Sequence, residues 1–245
     1  MRPVLPIFAA LALGACAYNP DLGRQQMTIV DDAGLSKAGE QAWNQALQTR
    51  KVSKDPAMNA RVRAVGQKVI AATSLWDRPW NYAVFEDTAP NAFVLPGGHV
   101  GVTTGLLQIV DNDDQLAAVI GHEAGHVVAR HAAERQSQTV ASSLVLGVLG
   151  AAAGSSDTAR AISDYGGAGA KYGFLLPFSR KQELEADRLG VDYMQRAGYR
   201  PREAVVLWRH MQAQGGSTTP QFASTHPSDG TRIVALETYI ATRGW

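Results

Sequence analysis

The stretch Asp114-Gln-Leu-Ala-Ala-Val-Ile-Gly-His-Glu-Ala-Gly-His-Val-Val-Ala-Arg-His-Ala-Ala-Glu-Arg135 reads as one amphipathic helix, with Leu116, Val119, Ile120, Val127 and Val128 at helical spacing. Within it, His122, Glu123 and His126 form an H-E-x-x-H pattern. Positions four apart on a helix differ by about 40° in direction, so both imidazoles leave one face and can meet a single ion. Zinc suits them, because it takes neutral imidazole nitrogens at about 2.0–2.1 Å and a catalytic site keeps one position open for water. Glu123 is placed to take a proton from that water, whose pKa the metal lowers towards about 7. The alternative is a surface helix with two solvated histidines. Gly121 and Gly125 flank the ligands, each weakening a helix interior by about 1 kcal/mol relative to alanine. Close approach of another backbone, or of substrate, is the usual compensation. Asn112, Asp113 and Asp114 supply a cap and acidic groups for the positive end of the helix dipole.

A third ligand has to come from elsewhere. His131 follows His126 by five residues, outside the H-E-x-x-H-x-x-G-x-x-H pattern, and reads as structural. Downstream, Glu183 and Asp187 share one face of a helix expected over 182–197 and ended by Gly198. One of the two can bind metal while the other accepts a hydrogen bond from a ligand imidazole. Glu185 points away from both and reads as a solvated charge. His226, before Pro227, sits in a turn, where it is either a solvated histidine or a functional group presented to a nearby site.

The set His122-Glu123-x-x-His126, Glu183-x-x-x-Asp187 and Thr225-His226-Pro227-Ser228 resembles the zinc metallopeptidases of family forty-eight, the group of HtpX, the CAAX prenyl proteases and the LoiP-like lipoproteins. The resemblance runs from about residue 35 to the C-terminus. It implies an α+β, mainly helical gluzincin domain with a small antiparallel sheet beside the H-E-x-x-H helix. It implies one zinc per chain, held by His122, His126 and Glu183, with Glu123 as general base and Asp187 orienting an imidazole. His226 is implied to lie close to the zinc, either filling the open position and suppressing activity or stabilising the oxyanion on the substrate carbonyl. The activity implied is that of a zinc-dependent endopeptidase acting on unfolded or misassembled proteins, in envelope protein quality control. The alternative is a latent or non-catalytic zinc-binding lipoprotein with a chaperone-like, peptide-binding role.

The sheet is expected from Trp80–Glu86, which alternates as a strand, and from a strand pair within Asn91–Gly105 that turns at Pro96-Gly97-Gly98. In the resembled family this segment lies beside the zinc and its edge holds an extended substrate by strand addition. His99 reads as a strand residue. Helices over 35–50 and from Asp55-Pro56 onward read as scaffold, and Trp43 and Trp208 as core. Val140–Ala153 is nearly all apolar but shorter than the about 20 residues that span a membrane, so it reads as buried or membrane-resting. The glycine-rich stretch 165–173 reads as a flap that controls access to the metal.

The 245 residues, 45% hydrophobic, suit a single catalytic domain behind a leader. Residues 1–15 carry a basic start, a short apolar run and small residues, the pattern of a signal peptide. Leu13-Gly14-Ala15-Cys16 resembles a bacterial lipobox, which makes Cys16 the lipidated first residue, 16–34 a tether and 35–245 the metallopeptidase domain. Cys16 is the chain's one cysteine, so no internal disulfide forms and acylation would resolve an otherwise odd thiol. By resemblance, Ala17 favours the periplasmic face of the outer membrane as the location. Net charge is +1, which gives no electrostatic case for nucleic acid. The glycines of 165–173 lack phosphate-binding order, so no nucleotide is expected.

Overall fold

The computed structural model describes residues 16–152, 178–214, 226 and 230–245. The signal-peptide pattern 1–15, the glycine-rich stretch 165–173, and Thr225, Pro227 and Ser228 lie outside the described residues. In chain order the elements are β1 (Cys16–Asn19), β2 (Arg24–Met27), α1 (Asp32–Thr49), α2 (Pro56–Ala71), β3 (Asn81–Phe85), β4 (Ala92–Leu95), β5 (His99–Thr103), α3 (Thr104–Ile109), α4 (Asp113–Val128), α5 (His131–Ala152), α6 (Arg180–Arg196), α7 (Arg202–Gln214) and α8 (Gly230–Thr242). This is the mainly helical α+β class that the sequence led us to expect. The chain forms two compact units, one from 1–34 and 130–176, the other from 35–129 and 177–245.

The larger unit carries the H-E-x-x-H helix, α4. Asn112 caps it by accepting from the Gln115 N–H, and Asp55 caps α2 with Pro56 in the first turn, both as the residue types demand. Val62, Val65 and Val69 of α2, Val84 and Phe85 of β3, and Leu116, Val119 and Ile120 of α4 are all buried, and α2 packs on both α4 and β3. Burying each such side chain stabilises the fold by about 1.5–3 kcal/mol.

The three-stranded sheet has the order β3-β5-β4. β4 and β5 form the expected antiparallel pair around the Pro96-Gly97-Gly98 turn, in which Gly97 and Gly98 both take positive φ. β3, however, pairs parallel to β5, so the sheet is mixed where an antiparallel one was expected. The cause lies in the connection 86–91, which is tied to the end of β5. Thr103 Oγ1 donates to the Ala89 carbonyl and accepts from the Asn91 N–H, and the Gly105 N–H donates to the Asp87 carbonyl. β4 is left as an edge strand and packs against α4.

α4 and α6 cross with their backbones almost in contact. A Cβ on Gly121 would lie 2.9 Å from the Gly190 carbonyl oxygen, and one on Gly125 3.0 Å from that of Ala186. The small residues Gly121 and Gly125 thus meet Ala186 and Gly190, the close backbone approach expected from the paired glycines. α6 begins at Arg180, two residues before the expected start, because Ser179 and Gln182 form a capping box.

The expected single helix over 114–135 is two helices. α4 ends at Val128, the Ala129 N–H returns to Gly125 O, and Arg130 takes a φ of 54° before α5 starts at His131. That left-handed residue redirects the chain, which apolar spacing alone does not reveal.

In the smaller unit, 16–34 is not merely a tether. β1 and β2 pair antiparallel from Cys16↔Met27 to Asn19↔Arg24. The Arg24 guanidinium donates to both Glu134 oxygens at 2.6 and 2.9 Å, Gln26 Nε2 donates to Glu134, and Ser137 Oγ accepts from the Ile29 and Val30 N–H groups. Its order comes from polar contacts with α5 rather than from an apolar period, so no periodic signal announces it. The apolar run from Val140 continues α5 to Ala152, with Val140 and Leu144 exposed. Among the described residues no helix is long and apolar enough to cross a membrane.

Candidate active site

Four side chains converge inside the larger unit. His122 and His126 come from α4, Glu183 from α6, and His226 from the chain ahead of α8; all are buried, with one potential ligand atom from each within 4.8 Å of the others. His122 Nε2 lies 3.2 Å from His126 Nε2 and 3.4 Å from Glu183 Oε2, and His126 Nε2 lies 3.4 Å from Glu183 Oε1. The glycine-mediated crossing of α4 and α6 is what brings the Glu183 carboxylate this close to the two imidazoles.

The donor set fits zinc, which favours imidazole nitrogen and carboxylate oxygen. Asp187 Oδ1 accepts a hydrogen bond from His122 Nδ1 at 2.9 Å, which holds a proton on that nitrogen and turns Nε2 towards the cluster. Of the two acidic residues on α6, Glu183 therefore faces the cluster and Asp187 stands behind it. His131 is buried in the smaller unit and is not among the converging groups. His99 begins β5, as expected of a strand residue.

Arg232 escaped the sequence reading. It is buried, its Nε and Nη2 donate to the two Asp187 oxygens at 2.9 and 2.8 Å, and its Nη1 lies 2.6 Å from Glu183 Oε2. A signal was available, since Arg232 falls in the i, i+4, i+8 stripe with the apolar residues Leu236 and Ile240 of α8. A cation on the buried stripe of a helix calls for a buried anion. Two aromatic neighbours left no comparable trace: Phe178 stacks on the His126 ring at 3.9 Å, and Trp208 meets His122 edge-on at 5.5 Å.

The charges sort by environment. Burial alone would raise Glu183, yet hydrogen bonds from His122, His126 and His226 hold it far below the usual carboxylate range. Burial likewise opposes ionisation of Asp187, which Arg232 and His122 overcome, leaving it lowered. His122 would be lowered by burial, but the carboxylates of Asp187 and Glu183 lift it to about 9. Glu123 moves the other way, pushed up chiefly by burial and by the Glu183 charge, against the pull of His226, His122 and the Val94 N–H. The Val94 contact sets the Glu123 carboxylate beside the edge strand β4. His226 bridges the two halves of the site, with Nδ1 3.3 Å from His122 Nε2 and 3.1 Å from Glu183 Oε1, and Nε2 3.2 Å from Glu123 Oε1.

Known proteins are similar to this chain in sequence. The chain is 41% identical over 181 residues to the mitochondrial metalloendopeptidase OMA1 of Schizosaccharomyces pombe, covering 73% of this chain and 52% of that protein. It is 37% identical to the Arabidopsis thaliana protein of the same name, over 91% of this chain and 45% of that protein. It is 27% identical to the beta-barrel assembly-enhancing protease of Escherichia coli K12, over 94% of this chain and 50% of that protein. The chain thus spans about half the length of these curated relatives. The sequence profile of peptidase family M48 matches residues 56–240, which include every converging residue of the site, and the chain belongs to that family.

Proposed function

We propose that this protein is a zinc metalloendopeptidase that hydrolyses peptide bonds in unfolded or misassembled proteins. The observation that carries the reading is the convergence of His122, His126 and Glu183 on one point with the Glu123 carboxylate beside it. His122, His126 and Glu183 would hold one zinc. The metal, when bound, would polarise the substrate carbonyl and acidify a water molecule. Glu123 would take a proton from that water and return it to the leaving amine, a role suited by a carboxyl whose proton affinity burial has raised. Asp187, anchored by Arg232, holds the His122 ring. The edge strand β4, next to Glu123, offers main-chain groups to an extended polypeptide, which explains how a peptide could be held without a side-chain motif.

His226 Nδ1 lies on the ligand atoms, a position that favours filling a coordination place over an oxyanion role. The same contact is what supports the second reading, a latent or non-catalytic zinc lipoprotein that binds peptides. Residues 35–245 are the catalytic domain in this account and 1–15 a leader. Cys16, exposed at the start of β1, would carry the lipid that anchors the chain at the periplasmic face of the outer membrane. A role in envelope quality control is supported by relatedness to a protease named for β-barrel assembly.

The test measures zinc content and casein cleavage for wild type, Glu123→Gln and His226→Ala. Wild type and Glu123→Gln are expected to hold about one zinc each, with cleavage lost in the variant by a factor of about 10² or more. His226→Ala is expected to cleave faster. Stoichiometric zinc with no cleavage by any of the three would establish the binding role instead, and absence of zinc from the wild type would overturn the ligand set.

A further inference from the structure

Behind the converging residues lies a closed ring of contacts contributed by four helices. His122 of α4 bonds Asp187 of α6, Asp187 bonds Arg232 of α8, the Arg232 guanidinium lies over the Trp208 ring of α7 at 5.8 Å, and Trp208 meets His122 edge-on at 5.5 Å with the ring planes 73° apart. We infer that Trp208 is a positioning residue for the metal centre, setting both the His122 ring plane and the Arg232 guanidinium. This inference rests on the zinc reading above.

Hydrogen bonds leave part of this geometry undetermined. The bond from His122 Nδ1 to Asp187 Oδ1 holds one side of the imidazole, and Nε2 on the other side faces His126, His226 and Glu183 at 3.2–3.4 Å, so any rotation of the ring plane between these ends moves Nε2 off the cluster. Trp208, set at 73° to the imidazole plane with centroids 5.5 Å apart, opposes that rotation. Arg232 presents a similar case. Guanidinium donors lie in the guanidinium plane, where Nε and Nη2 bond Asp187 and Nη1 lies 2.6 Å from Glu183 Oε2, so these contacts do not hold its faces. An aromatic face satisfies a desolvated cation there, whereas an aliphatic side chain of similar bulk would fill the space without this attraction. Trp208 therefore acts on two members of the outer shell at once, and through them on His122 and Glu183.

Merely filling the core would predict something different, and Trp43 supplies the control. It is as deeply buried as Trp208, 5% exposed in each case, but packs on Phe85, Phe93 and His99. Zinc affinity is to be measured by competition with a fluorescent chelator on the full chain, for wild type, Trp208→Met, Trp208→Leu, Trp208→Phe and Trp43→Leu. Metal-free thermal stability is recorded in parallel. Trp208→Met and Trp208→Leu are expected to weaken zinc binding about tenfold or more, the range found for outer-shell partners. Trp208→Phe, which keeps a ring, is expected to restore most of the affinity, and Trp43→Leu to lower stability with affinity unchanged. Wild-type affinity in Trp208→Met or Trp208→Leu, or an equal loss in Trp43→Leu, would overturn the proposal while leaving the zinc site intact. A wild type without zinc would instead defeat the zinc reading, and the inference with it. Should neither aliphatic variant fold, nitrogen spectra of the wild-type imidazoles decide: one sharp His122 Nε2 resonance is expected, and exchange broadening of it would overturn the claim.

Discussion

Two histidines in this molecule are equally buried, each 1% exposed, and each has a tryptophan and a carboxylate for neighbours, yet only one belongs to the candidate site. His99 stacks on Trp43 at 5.2 Å, accepts from the Asn81 amide at Nδ1, and directs Nε2 at Glu40 Oε2 2.9 Å away. Nε2 makes no hydrogen bond, and the Glu40 side chain beside it is 57% exposed. His122 bonds through Nδ1 to an Asp187 that Arg232 grips with two bonds, and its Nε2 faces two other imidazoles and a carboxylate at 3.2–3.4 Å. Burial and an acidic neighbour do not make a ligand. A ring held by an anchored carboxylate, with its other nitrogen aimed at further donors, suits that role.

The sharpest way to break this contrast is to delete each ring. His122→Ala is expected to lose its zinc on dialysis, whereas His99→Ala should keep about one zinc per chain and lose about 1–3 kcal/mol of stability. Metal analysis beside denaturant unfolding separates the two, and zinc loss in His99→Ala would erase the distinction. Next come the carboxylates. Asp187→Asn should weaken zinc binding about 10- to 100-fold. Glu40→Gln should leave it unchanged and shift stability by less than about 1 kcal/mol, as exposed pairs do.

A further effect is one of pH. Because His122 is lifted from an ordinary 6.5 to about 9, the chain stripped of zinc binds more protons folded than unfolded across that window. The stability that His122 contributes is then complete below pH 6.5 and disappears as pH rises through 9, with a slope of at most about 1.4 kcal/mol per pH unit. Urea unfolding at pH 6, 7.5 and 9 should show this decline in wild type and in His99→Ala, but not in His122→Ala. A decline that survives His122→Ala would assign it to another group.

How much was legible beforehand depended on whether the determinant was local. His122, Glu123 and His126 were readable because four residues make about one helical turn, so spacing in the chain is spacing on a face. Caps such as Asp55 and Asn112 were readable for the same reason. The Arg130 break was not, because a positive φ at arginine leaves no mark in a pattern of apolar residues. Nor was the parallel pairing of β3 with β5, which depends on how the connection 86–91 is tied down by Thr103.

The sequence by itself determined the identity of the ligand types, the helix that carries two of them, and the need for close backbone approach at Gly121 and Gly125, since each follows from residue chemistry and helical period. Residue chemistry left open which of Glu183 and Asp187 joins the two Nε2 atoms, and the family resemblance implied Glu183; only the tertiary structure decided that Asp187 holds His122 from behind through Nδ1, that Arg232 and Trp208 stand beside it, and that His226 reaches Glu123 as well as Glu183. These depend on the angle and depth at which α4, α6, α7 and α8 meet. Such a packing geometry is set jointly by every side chain at the crossing, and no one segment specifies it.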